Sequence, residues 1–121
     1  MMCLVLSVMA FAQTGVDFQH LTFDEALAKA KAEKKLVFVD CYTTWCGPCK
    51  AMHPVLEELK GQIGEAARIV KIDVDQHEEL AAQYRIQAVP TFIIFKKGEA
   101  VWRHSGVIKG SELKTLIEQN S

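Results

Sequence analysis

The chain has no basic stripe. Its 14 Lys and Arg are scattered from Lys29 to Lys114, are not interleaved with aromatic residues, and are offset by 15 Asp and Glu to a net charge of −1. That pattern argues against nucleic acid as a partner. Internal repeats, low-complexity tracts and long Gly/Ser linkers are also missing, and 121 residues leave no room for a second domain. Half of those residues are hydrophobic, enough for one core that folds alone. Nowhere does the chain carry the roughly 20 consecutive apolar residues that a membrane-spanning helix needs. Stable membrane insertion is therefore not expected.

Charge is absent altogether from residues 1–12. This stretch is almost wholly apolar and ends in Ala10-Phe11-Ala12 before Gln13, in the manner of a signal-peptidase site. It reads as the apolar region of a secretory signal peptide. No Lys or Arg precedes it, so the signal reads as incomplete at its start. A buried or frayed hydrophobic terminus is the competing reading. On the first reading residues 1–12 leave together with Cys3, residues 13–121 form the mature domain, and the protein is periplasmic or secreted. On the second it is cytoplasmic.

Against these absences stands Trp45-Cys46-Gly47-Pro48-Cys49-Lys50. Two cysteines separated by two residues at a helix start lie within bonding reach of each other and can shuttle between dithiol and disulfide. A Cys46 thiolate there would face unpaired backbone N–H groups and the positive end of the helix dipole, both of which favour it. Cys46 is thus the expected nucleophile. Cys49, deeper in the helix and shielded, is expected to resolve the mixed disulfide that Cys46 forms with a substrate. Pro48 suits an early helical position that needs no N–H, and Gly47 lets the backbone approach a partner. The same spacing is also half of a zinc site. No second Cys-x-x-Cys or His pair completes one, and His53, four positions after Cys49, reads as a helix-surface histidine. No metal and no cofactor are expected.

Thr22-Phe23-Asp24-Glu25 reads as a capping box, and Phe23, Ala26, Leu27 and Ala30 continue at helical spacing to about Lys34. Leu36 to Cys41 is an apolar, β-branched run interrupted by Asp40, as in a strand buried on both faces. From Cys46 to about Leu59 the spacing predicts a helix with Met52, Val55, Leu56 and Leu59 inward and a kink at Pro54. Arg68 to Asp75 predicts a strand, with Asp75 and Glu78 capping a helix that runs to about Tyr84. Thr91 to Lys96 and Glu99 to His104 predict a hairpin through Lys97-Gly98, and Leu113, Leu116 and Ile117 a closing helix. The class is α/β, a central mixed sheet flanked by helices.

Taken together, these residues resemble the thioredoxin family. The landmarks are Trp45 to Lys50, Asp40 six positions before Cys46, Pro54 five positions after Cys49, Val89-Pro90-Thr91, Phe95 to Glu99 with Gly98, and Gly106. The resemblance covers roughly residues 21–119 and implies a thioredoxin-like fold. It implies a cis Pro90 that leaves the Val89 backbone free to pair with a substrate segment; the plain alternative is a trans proline opening a strand. It further implies a buried Asp40 of raised pKa that accepts the Cys49 proton, with the amine of Lys71 modulating it. The plain alternative has Asp40 pointing to solvent and Lys71 as a surface charge. Trp45, Gly47, Pro48, Val89, Pro90 and Gly106 then form the substrate-binding surface. Cys41 reads as a small buried hydrophobe, with a regulatory disulfide as the alternative.

The pair Gly47-Pro48 resembles reducing members of that family and implies a monomeric protein-disulfide reductase. Its substrates are disulfide-containing proteins, and a membrane or soluble electron-donating reductase renews its thiols. An extracytoplasmic oxidase or isomerase, and a binding module of the same fold without redox turnover, stay open. Cys41 to Thr44, Arg85 and Ala88 depart from the family pattern and bear on partner choice.

Overall fold

The computed structural model describes residues 23–121. The expected capping residue Thr22 and the expected signal segment lie outside them. Among the described residues no helix is long and apolar enough to cross a membrane. Along the chain come α1 (Phe23–Ala32), β1 (Leu36–Tyr42), α2 (Gly47–Ile63), β2 (Ala67–Asp73), α3 (Glu78–Gln83), β3 (Thr91–Lys96), β4 (Glu99–Ser105) and α4 (Gly110–Asn120). The strands form one mixed sheet in the order β2-β1-β3-β4. β1 and β2 are parallel, while β1 with β3 and β3 with β4 are antiparallel.

Strand alternation divides the core between the two faces of this sheet. Leu36 and Phe38 of β1 and Phe92 and Ile94 of β3 face Met52, Leu56 and Leu59 of α2 and Leu113 and Ile117 of α4. Val37, Val39 and Cys41 of β1, with Ile93 and Phe95 of β3 and Val70 and Ile72 of β2, pack under Phe23 and Ala30 of α1. β1 is buried over most of its length because helices cover it from both sides. By the same alternation Asp40 continues the Leu36-Phe38 row and turns toward α2, while Cys41 turns the other way.

Several boundaries differ from expectation by a residue or more, and three of them have a clear local reason. α2 passes Leu59 and ends at Ile63, with Gly64 as its C-cap donating its N–H to the Lys60 carbonyl at 3.3 Å. Ile63 adds one more turn to the buried stripe, which offsets the cost of about 1 kcal/mol for Gly61 inside a helix. β2 stops at Asp73, whose carboxylate accepts the Asp75 N–H at 3.0 Å and turns the chain. Asp75 does not cap α3: the N-cap is His77, without a side-chain capping bond, because the Asp75 carboxylate is held by Trp45 instead.

Candidate active site

Topology gathers the predicted residues at one end of the sheet. β1 delivers Asp40 and then, past Tyr42, the turn to Cys46. The parallel register sets Lys71 of β2 beside Asp40. β3 begins at this end, with Thr91 opposite Cys41, and β4 finishes there, with Ser105 opposite Thr91. Pro90 and Gly106 flank those last two residues in the chain, and the Gly106 N–H donates to the Pro90 carbonyl at 2.8 Å.

Cys46 is the N-cap of α2, Pro48 sits in its first turn, and Pro54 lies inside it. Cys46 and Cys49 form a disulfide with their Cα atoms 5.2 Å apart. The Cys49 N–H donates to Cys46 Sγ at 3.0 Å, so a helix-terminal donor is aimed at this sulfur. In the reduced protein such a donor favours thiolate over thiol at Cys46. One expectation is reversed: in this oxidised state Cys46 is only 4% exposed, whereas Cys49 is the partly exposed member of the pair. Cys46 caps the helix end, while Cys49 lines a pocket on the side of α2 that faces β1 and β2.

Asp40, Cys49 and Lys71 line this pocket together with Tyr42, Thr43, Thr44, Lys50 and His53. Asp40 is 4% exposed, which removes the reading in which it points to solvent. Lys71 Nζ lies 4.0 Å from Asp40 Oδ2. Burial pushes the Asp40 carboxyl up to about 6, partly opposed by the positive charges of Lys71 and His53. Cys41, on the opposite face, is a buried free thiol, pushed up to about 12 by burial and by the Asp40 charge, and so is a poor nucleophile.

The Val89–Pro90 peptide is cis. Thr91 Oγ1 fastens the turn before it by donating to the Ala88 carbonyl at 2.6 Å, and lies 2.9 Å from Ser105 Oγ. Val89 is partly exposed. Arg85 adopts φ 53, a left-handed conformation where glycine is the easy choice. Its carbonyl accepts Arg103 Nη2 at 2.6 Å, and Arg103 Nη1 donates to the Tyr84 carbonyl, so one guanidinium holds this turn in place. Trp45 is 70% exposed, with its indole N–H donating to Asp75 Oδ2 at 2.9 Å. An apolar ring is thereby held in position at the surface.

His53, Asp75 and Arg103 were not among the predicted site residues. His53 had a usable signal, since one helical turn after Cys49 places it on the same helix face. Trp45 and Asp75 are 30 residues apart, and no local pattern marks that pair.

Gly106 has φ +105, and a Cβ built there meets no atom within 4 Å. Gly106→Ala should therefore cost only backbone strain, about 1–2 kcal/mol. Urea unfolding should show that loss, and an unchanged midpoint would contradict it.

The family model for thioredoxin matches residues 15–119. Chloroplastic thioredoxin Y of Oryza sativa subsp. japonica is 43% identical over 97 residues, which cover 80% of this chain and 56% of the rice protein. This chain thus spans little more than half the length of that relative. A thioredoxin-like protein of Synechocystis is 42% identical over 99 residues, covering 82% of this chain and 91% of its own. Among solved structures, a mutant thioredoxin from Halobacterium salinarum superposes with a TM-score of 0.72 at 37% identity, over 82% of this chain and 85% of the other. With the mixed sheet, the Cys46–Cys49 disulfide at a helix N-terminus and these matches in agreement, the chain belongs to the thioredoxin family.

Proposed function

We propose that this chain reduces disulfide bonds in proteins. The observation that carries the reading is the Cys46–Cys49 disulfide at the N-cap of α2, with the buried Asp40 carboxyl in the pocket that Cys49 lines. In the reduced protein the Cys46 thiolate attacks one sulfur of a substrate disulfide, forming a mixed disulfide and expelling the other sulfur as a thiolate, which takes a proton from water. The Cys49 thiol passes its proton to the Asp40 carboxylate through a water, for which the buried Thr43 hydroxyl, without a protein partner, offers a hydrogen bond. The Cys49 thiolate then attacks Cys46 Sγ, which closes the Cys46–Cys49 disulfide and releases the second substrate sulfur. Two electrons have passed from the Cys pair to the substrate, and an electron-donating reductase supplies two more to reset it.

Substrate segments dock along Trp45, Gly47, Pro48, Val89 and Gly106, while Pro90, expected on this surface, is buried and supports the turn from beneath. The Val89 backbone pairs with an extended chain and tolerates many sequences. Lys71 holds Asp40 nearer to its carboxylate form. The protein acts as a monomer. Residues 1–12 support export, with a membrane protein as the electron donor. Attaching residues 1–20 to a periplasmic reporter in a bacterium tests this; retention of the fusion in the cytoplasm would place the reductase there instead.

Insulin reduction by the reduced protein tests the activity itself. Precipitation of the insulin B chain is expected, and its absence would favour a binding module of the same fold. A reduction potential near that of strong dithiol oxidases would reverse the direction of electron flow.

A further inference from the structure

Two elements besides β1 bring cations to the Asp40 pocket. β2 contributes Lys71, and α2 contributes Lys50 and His53. Lysine ammonium groups keep their charge through neutral pH, whereas histidine is the side chain that changes charge between about pH 5 and 8. His53 is exposed on α2, while Asp40 is enclosed.

We propose that His53 is a positioning residue for the exchange reaction: from the first turns of α2 it presents a pH-dependent positive charge to the pocket that Asp40 shares with Cys49, and so sets how far into acid Asp40 can still take the Cys49 proton. The inference rests on the reductase reading given above.

The other groups around Asp40 do not supply this dependence. On its own strand Tyr42 lines the pocket, and its hydroxyl is pushed up by burial and by the charges of Asp73 and Asp40. Cys41 lies on the opposite face, likewise raised. From β3 the residue opposite Asp40 is the uncharged Phe92, and α4 turns Leu113 and Ile117 to this side of the sheet. On α2 itself Lys50 and Glu57 stand three and four residues from His53, where side chains meet on a helix surface. Burial raises the Asp40 carboxyl, and Lys71 and then His53 pull it back. A positive charge on His53 holds Asp40 as the carboxylate, the form that accepts a proton. The acceptor then stays ionised into more acidic solution than Lys71 alone would allow.

Substitutions that remove the charge or fix it test this, because a structural role for an exposed helix residue would not give effects of opposite sign. The carboxyl titration of Asp40 is followed by carbon-13 NMR in the oxidised protein, His53→Gln and His53→Lys, alongside pH profiles of insulin reduction. His53→Gln should move the Asp40 midpoint and the acid limb of activity up and His53→Lys should move them down, the two variants lying about half a pH unit apart, the size of one charge acting through a water-like dielectric. Midpoints that stay put, or that move the same way in both variants, overturn the proposal. If the midpoints shift as expected but the unmutated protein reduces no insulin at any pH, the reductase reading fails and His53 has no part in the reaction. If insulin is reduced and the midpoints do not separate, the reductase stands without this role for His53.

Discussion

Cys46→Ser is expected to abolish disulfide reduction, with a loss of at least about a thousandfold, because a serine hydroxyl ionises far too weakly to attack a disulfide at neutral pH. Cys49→Ser should be just as inactive in turnover but should fail differently. Its Cys46 thiolate still attacks, no sulfur is present to resolve the intermediate, and the protein accumulates covalently joined to its substrate. The contrast assigns the two roles, which exposure does not: in the oxidised state Cys46 is the more enclosed sulfur. Cys46 is favoured by the helix-terminal donor aimed at its Sγ rather than by access. Non-reducing electrophoresis after mixing each variant with oxidised insulin checks this. A substrate adduct on Cys46→Ser and none on Cys49→Ser would invert the assignment.

Asp40→Asn is expected to stabilise the protein while slowing it. The Asp40 carboxyl titrates at about 6 in the fold against an ordinary 3.8, so the folded state holds a proton that the unfolded chain has already released. What the protonated acid contributes is fully present below about pH 4 and is lost as the pH rises through 6. Above that the enclosed carboxylate destabilises the fold by about 3 kcal/mol, from the shift between 3.8 and about 6. An Asn amide resembles the protonated acid and avoids this cost. Urea unfolding should therefore show Asp40→Asn more stable at pH 8 and nearly equal at pH 4. Losing the proton acceptor should slow resolution of the mixed disulfide by about a hundredfold. Equal stabilities at pH 8 would mean that Asp40 is not enclosed in solution, and an undiminished rate would remove it from the proton path.

Much of the fold could be read locally. Helix and strand types follow from side-chain periods of 3.6 and 2, and in the inward row of α2 Met52, Leu56 and Leu59 are buried as the spacing predicts, with Val55 partly so. The element ends were less legible. Ile63 extends α2 because a covered face lies beside it, and β2 stops where the Asp73 carboxylate turns the chain. Asp75 has the composition of a helix cap and makes no cap, since Trp45 reaches its carboxylate from 30 residues away. Arg85 stands where a glycine is usual because Arg103, from β4, holds its carbonyl.

For the site, sequence alone determined the chemistry. Two cysteines three positions apart at a helix start lie within bonding reach because helix geometry is local, and the lack of a second Cys or His pair in the sequence separates a redox pair from half of a zinc site. Tertiary structure alone decided the environment in which that pair works. Sheet register sets Lys71 beside Asp40, strand alternation turns Asp40 toward α2 and Cys41 away from it, and the packing of α2 over the sheet adds His53 to the same pocket. Burial and the distance between charges set the proton affinity of a carboxyl group. Both are properties of how distant segments pack, which no stretch of the sequence states by itself.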